Sequence, residues 1–416
     1  MSAEMISIGA LGVMFVVATV LPINIGILAF IGAFVVGTAS LGLSEDEIFE
    51  GFPVSLFVTI VGVTYLFSVA QRNGTIDLLV RAGIKLVRGK AALIPWVLFA
   101  VAAVLTAFGT FTPAAVALLA PVGMNFAHRF GISQLMVGMM VISGAHAGAF
   151  SPIAVSGALV LGMVDQTPLE VAPSALFLAS FGFNFLLSLL TFFLLGGFGR
   201  KRAQVAEGGE AEQLDAARLT WRQALTLVAL AGLVVGALVF HLEIGFLALL
   251  AATALTLVDV KNQAKAVDGI SWSTILLVAG MVTYVGILEK AGTIEAVSQG
   301  AAGMGAPLFV ALLLCFVVAV VSAFASSTAI LTAIIPIAVP LLLASHLSAA
   351  GLVAALAIST TIVDTSPFST NGALVLSNAR GVDRDRFYKQ IIGYTAGIVG
   401  AGPVLAWCFL VLPSAV

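Results

Sequence analysis

Charge is the scarcest property of this sequence. Only 9% of its 416 residues are Asp, Glu, Lys or Arg, where a soluble domain carries about 25%. So low a content excludes an ordinary soluble globular chain. Cysteine is nearly absent as well. Cys315 and Cys408 both fall in apolar stretches and read as small core residues, not as a disulfide or a metal centre. No segments of about ten alternating residues occur, which excludes a transmembrane barrel. No glycine-rich nucleotide motif stands in context and there is no His-Glu-x-x-His, so neither a cofactor nor a nucleic-acid partner is expected. The N-terminus lacks a basic region and flows straight into a second apolar segment, so no cleaved signal peptide is expected.

What the chain does have is hydrophobic length. It is 61% hydrophobic with a mean hydropathy of +1.16, and long uncharged runs recur throughout. These features predict an all-α polytopic membrane protein. Spans are expected at 5–21, 24–42, 53–71, 132–163 and 172–199, then at 222–240, 244–259, 272–289, 349–379 and 391–412. Pro22-Ile23-Asn24 joins the first two, and an acidic loop, Ser44 to Glu50, follows. The basic amphipathic stretch from Arg72 to Lys90 reads as an arm lying in the interface against anionic lipid. A second arm is expected at about 290–303.

Two uncharged runs, about 92–128 and 305–345, are interrupted at Gly109-Thr-Phe-Thr-Pro113 and Phe324-Ala-Ser-Ser-Thr328. Each limb of the first has about 14–17 residues, or roughly 21–25 Å of helix. That is short for a hydrocarbon core about 30 Å thick, so re-entrant hairpins are expected.

The spans at 132–163 and 349–379 each contain a break of the same wording. Ser151-Pro-Ile-Ala-Val-Ser-Gly-Ala-Leu-Val-Leu161 and Ser366-Pro-Phe-Ser-Thr-Asn-Gly-Ala-Leu-Val-Leu376 agree at seven of eleven positions, 215 residues apart. Pro121 and Pro336 share that offset, and Gly74-Thr-Ile-Asp77 matches Gly292-Thr-Ile-Glu295. Ile25-Gly26 matches Ile244-Gly245. The expectation is an inverted repeat: 1–200, a cytoplasmic linker at 201–220, and 221–416. Five spans per half is an odd number, so the second copy enters the membrane upside down. With both termini outside (periplasmic), 17 of the 18 basic residues fall on the inner side and only Lys290 outside, as the positive-inside rule requires.

Pro22-Ile-Asn-Ile-Gly-Ile-Leu-Ala-Phe30, Phe57-Val-Thr-Ile-Val-Gly-Val-Thr-Tyr-Leu-Phe67, Phe150-Ser-Pro152 and Ser366 to Ala379 resemble the corresponding parts of MatC-type dicarboxylate (malonate) carriers. The likeness covers nearly the whole chain. Through that family the chain resembles members of the ion transporter superfamily, near the divalent anion:sodium symporters. The resemblance implies a homodimer in the bacterial inner membrane, with a scaffold and a moving, elevator-type transport domain. It also implies Na⁺-coupled symport of a small dicarboxylate. Hairpin tips in those relatives carry Ser-Asn-Thr; here the second tip reads Ser326-Ser327-Thr328 and the first Thr110-Phe111-Thr112-Pro113.

Tips and breaks are expected to meet near the midplane, where half-helix N-termini favour anions and hydroxyls and carbonyls suit a hard cation such as Na⁺. The candidate substrate ligands are Thr110, Thr112, Ser151, Ser156, Ser326, Ser327, Thr328, Ser369, Thr370 and Asn371. The candidate cation ligands are Thr112, Ser151, Thr328, Asp364 and Ser366. Isolated Ser and Thr also glue membrane helices together at about 0.6–2 kcal/mol each; the symmetric set is what argues for function. Asp364 is the one carboxylate placed deep in a span, a costly position that is functional by default. It serves as a Na⁺ ligand, a proton carrier, or a cap on Thr361 or a backbone N–H. His146 binds substrate or titrates, or is a neutral packing histidine. His128, His241 and His346 sit at span ends and read as interfacial, and Asn184 as a packing residue. The reading is a secondary carrier, with Na⁺ coupling ahead of H⁺ coupling through Asp364 and His146. A membrane-embedded enzyme and an anion channel are the rivals from other classes.

Overall fold

The computed structural model describes residues 2–21, 23–85, 91–165, 167–196, 219–240, 242–260, 265–293, 296, 307–323, 327–343 and 345–414. Within these the chain is helical. Helices α1 (Ala3–Val20), α2 (Ile25–Leu41), the short α3 (Glu45–Phe49) and α4 (Val54–Arg72) open the first half. The amphipathic arm α5 (Thr75–Lys85) follows, then α6 (Ile94–Ala107) and α7 (Thr112–Phe130). Next come α8 (Gln134–Ala149), α9 (Val155–Val164) and α10 (Pro173–Leu194). The second half runs α11 (Trp221–Leu238), α12 (Ile244–Val258), α13 (Trp272–Lys290), α14 (Pro307–Ser322), α15 (Ser327–Leu343), α16 (Ala349–Thr361), α17 (Thr370–Ser377) and α18 (Arg384–Ala406). Five helical stretches among the described residues are long and apolar enough to cross a membrane, and several shorter apolar helices accompany them. The linker at 201–218, the arm at 297–303, and Ser326 and His241 lie outside the described residues.

Several helices start where capping side chains put them. Asn24 accepts from the Gly26 amide to open α2, Ser133 from Met136 to open α8, and Thr220 forms a reciprocal capping box with Gln223 at α11. The last span differs from expectation: α18 begins at Arg384, seven residues before 391, because Asp383 caps it through the amides of Asp385 and Arg386. The N-terminal turns of α18 are therefore polar and exposed, which hides the start from a hydropathy reading.

The halves interlock by exchange. α2 packs on α13, and α12 packs on α4. A Cβ on Gly26 would run into the backbone of Leu276, and one on Gly280 into the carbonyl of Gly26. On the other side a Cβ on Gly245 would meet the backbone of Thr59, and one on Gly62 the carbonyl of Gly245. The matched Ile-Gly pairs are thus two close backbone crossings, each possible only without a side chain. Polar contacts follow the same exchange: Ser7 Oγ lies 2.7 Å from Thr293 Oγ1, and Asn73 Nδ2 donates to Thr226 Oγ1 at 2.7 Å.

The remaining helices form the layer that carries the site. α6 and α7 pack on each other and on α8, and α14 and α15 on each other and on α16. Each set reaches across: α17 packs on α7, and α9 on α15. The first tip turns at Gly109, whose φ of 111° is open to glycine; a Cβ there would collide with Val63 of α4.

Candidate functional site

Both doubled phrases are real interruptions. α8 stops at Ala149 and α9 starts at Val155; α16 stops at Thr361, a 3-10 turn covers Ile362–Thr365, and α17 starts at Thr370. The glycine of each phrase has one physical reason. A Cβ on Gly157 would strike the carbonyl of Ser151, and one on Gly372 the carbonyl of Ser366. Each chain folds back so tightly that the serine carbonyl presses on the next helix.

These breaks and the two hairpins converge on one cavity of about 180 Å³, lined by Phe111, Thr112, Pro113, His146, Ser156, Ser327, Thr328, Leu331, Thr361, Asp364 and Thr370. Four helix N-termini point into it: α7 at Thr112, α9 at Ser156, α15 at Ser327 and α17 at Thr370. Aligned peptide dipoles make each terminus equivalent to roughly half a positive charge. The N-cap residues of α7 and α9 are Phe111 and Ala154, and neither has a side-chain cap. First-turn amides are therefore left for a ligand or water.

Among the described residues Asp364 is the one carboxylate lining the cavity. It sits in the 3-10 turn, not at a helix centre, and is 8% exposed. Its Oδ2 accepts from Ser327 Oγ at 2.6 Å and from Asn371 Nδ2 at 3.4 Å, and lies 3.4 Å from His146 Nε2. Asn371 Nδ2 is also 3.4 Å from that imidazole nitrogen. The Thr361 hydroxyl donates to the carbonyls of Ala357 and Ile358, not to Asp364. The Asp364 carboxylate is thus held by side chains from three segments, and not as a cap on its own helix. His146 is buried in the last turn of α8, with Nδ1 lacking a partner, as does Asn371 Oδ1.

The candidate residues separate by geometry. Thr112, Ser156, Ser327, Thr328 and Thr370 line the cavity together with Asp364 and His146. Asn371 stands behind, bonded to Asp364. Ser151, Ser366 and Ser369 turn to the backbone instead. Ser151 Oγ donates to the Ala107 carbonyl and accepts from Ile153 N; Ser366 Oγ accepts from Phe368 N. Ser369 Oγ donates to the carbonyls of Asp364 and Ser366 and caps α17 through Gly372 N. These three build the breaks and do not line the cavity. Thr110 does not line it either, and its hydroxyl is buried without a partner. Phe111, Pro113, Leu331 and Thr361 also line the cavity, none of them among the candidate ligands. Thr361 could have been found as the repeat mate of His146, and Leu331 as the residue one turn after Thr328.

Ser327 donates to the Asp364 carboxylate, so this serine is paired with an acid side chain and not with an imidazole. Among the described residues no group of three His, Cys, Asp or Glu side chains could hold a metal ion. His128 and His346 are exposed near helix ends. Asn184 is buried on α10 and donates to the Ser180 carbonyl, while Ser180 Oγ donates to the His146 carbonyl. Both cysteines are free.

Comparison with known proteins points the same way. Residues 1–149 match the family model described as dicarboxylate carrier protein MatC N-terminus. No curated protein matches the chain in sequence. The fold is similar to that of the YdaH transporter of Alcanivorax borkumensis, at 14% identity and a TM-score of 0.63, covering 90% of this chain and 88% of that one. It is also similar to MtrF of Neisseria gonorrhoeae, whose structure is described as illuminating a class of antimetabolite efflux pumps. That likeness has 12% identity and a TM-score of 0.51, covering 92% of this chain and 85% of that one. The chain therefore has helical stretches long and apolar enough to cross a membrane, a fold similar to that of YdaH and MtrF, and a match to the MatC dicarboxylate-carrier model over its first 149 residues.

Proposed function

We propose that this protein is a secondary carrier of a small dicarboxylate of the malonate or C4 type, driven by Na⁺ symport. The observation that carries the reading is the cavity itself: four helix N-termini and a ring of hydroxyls around a single carboxylate. Anionic groups of the substrate lie on the first turns of α7, α9 and α17, with Thr112, Ser156 and Thr370 donating. Na⁺ sits toward Asp364, with Ser327, Thr328 and backbone oxygen completing a hard-ligand shell. No Lys or Arg lines the cavity among the described residues, so a co-bound cation is what offsets the carboxylate and the second charge of the substrate.

The matched phrases and the reciprocal crossings at Gly26 and Gly245 support an inverted repeat of 1–200 and 221–416 around the linker. That symmetry favours an elevator mechanism. In it α1, α2, α4, α11, α12 and α13 stay fixed as scaffold, while hairpins and broken spans carry the site across. A homodimer in the inner membrane with both termini outside completes the reading. The test is uptake of radiolabelled malonate and succinate into proteoliposomes under an imposed Na⁺ gradient. Uptake that ignores Na⁺ removes the coupling, and flux without saturation or counterflow makes the protein a channel.

The contact between His146 and Asp364 favours a second reading, H⁺ symport on that pair. Uptake that follows an imposed pH gradient, is lost in Asp364→Asn and is indifferent to Na⁺ selects it.

A further inference from the structure

A larger pocket lies away from the substrate cavity, at the ends of the scaffold helices. It measures about 370 Å³ and is lined by Arg72, Asn73, Thr220, Trp221, Arg222 and Asp259. The end of α4, the start of α11 and the end of α12 meet there. We propose that it binds the phosphate of an anionic phospholipid headgroup.

The chemistry is that of an anion site. Among the described residues two guanidiniums and the N-terminus of an 18-residue helix line the pocket with one carboxylate, a net positive lining. Arg222 is held in place before any ligand arrives. Its Nη1 bonds Asp259 Oδ2 at 2.9 Å, and its guanidinium lies 5.7 Å from the Trp221 ring centroid. Its Nε is buried with no hydrogen-bond partner. The side chain as a whole is 43% exposed and lines the pocket. The walls are fixed too. Gln223 Nε2 donates to the carbonyls of Asn73 and Gly74, and Asn73 Nδ2 donates to Thr226.

The location specifies a lipid and not a soluble anion. Trp221 is 61% exposed and Leu219 is 54% exposed beside it, at the mouth of an apolar spanning helix. That is where indole rings lie at the headgroup level and acyl chains continue downward. Basic pockets between spanning helices are known headgroup sites.

The fold itself does not demand this cluster. At the matching place in the other half Arg222 becomes Ala3, Asp259 becomes Ser40 and Arg72 becomes Lys290. Lys290 there bonds the Glu47 carbonyl and Glu50 Oε2. The first half closes its corner with an exposed ion pair; the second leaves a pocket.

The experiment titrates the full-length protein in neutral detergent with phosphatidylglycerol, phosphatidylcholine or inorganic phosphate, reading the shift in Tm. Binding to the folded state raises Tm with ligand concentration. Phosphatidylglycerol is expected to give a saturable rise that phosphatidylcholine does not. Arg222→Gln and Arg72→Gln are each expected to weaken its apparent affinity about tenfold. Lys389→Gln, on an exposed residue of α18 outside the pocket, leaves it unchanged. Affinity is read from each variant's own midpoint, so a lower baseline after breaking the Asp259 pair does not mask the result. Equal weakening by Lys389→Gln means diffuse attraction and overturns the site. A response to inorganic phosphate equal to that to phosphatidylglycerol overturns the lipid.

Discussion

Asp364 Oδ2 lies 3.4 Å from His146 Nε2, although the two residues come from opposite halves of the chain. With Ser327 Oγ at 2.6 Å and Asn371 Nδ2 at 3.4 Å, that oxygen is where the end of α8, the second hairpin and the second break are tied together. One carboxylate oxygen thus joins three segments that line the cavity or stand behind it.

Asp364→Asn keeps the shape and removes the charge. Na⁺-driven uptake in proteoliposomes is expected to fall at least tenfold, about the size of one lost charge-assisted contact, while the monodisperse elution profile is retained. Uptake within twofold of the parent rules the carboxylate out of coupling.

Thr370 and Ser369 are neighbours with different jobs. Thr370 is exposed into the cavity, while Ser369 is buried and caps α17. Thr370→Val is expected to raise the substrate KM several-fold with little change in Tm, at about 1 kcal/mol for one neutral hydrogen bond. Ser369→Ala is expected to cost about 0.5–2 kcal/mol of stability through the lost cap. Thermal unfolding beside uptake kinetics separates the two, and a reversed pattern refutes the assignment.

Gly157→Ala and Gly372→Ala each drive a methyl into a serine carbonyl. Both are expected to lose about 1–3 kcal/mol by overpacking. Gly397→Ala, in open space on α18, is expected to be neutral or to gain up to about 1 kcal/mol of helix propensity. The measurement is Tm for all three in the same detergent.

Gly26→Ala and Gly280→Ala act on one crossing, so the double variant is expected to lose less stability than the two singles summed. Gly9→Ala, whose added Cβ meets nothing, is expected to be neutral or to gain up to about 1 kcal/mol of helix propensity. Strict additivity at positions 26 and 280 argues against a shared crossing.

How far the sequence reaches is clear element by element. Apolar length and capping residues place the described helices within a few residues, because α-helix in a membrane needs only a segment that satisfies its own backbone. The exception, α18, starts in a polar turn. Both breaks are legible because the fold uses the same serine, proline and glycine twice. The phrase alone does not reveal which of its serines face the ligand: Ser156 lines the cavity, whereas Ser151, Ser366 and Ser369 bond the backbone.

Hydrophobic content, low charge and the doubled phrase determine from sequence alone that this is a helical membrane protein with two interrupted spans. Only the tertiary structure decides that Asp364 meets His146, that Ser327 holds it, and that Arg222 and Arg72 share a pocket with Asp259. The reason is physical. Local helix formation depends on residues a few positions apart, while a site depends on where distant helix ends arrive, and that is fixed by packing at contacts such as Gly26 against Gly280.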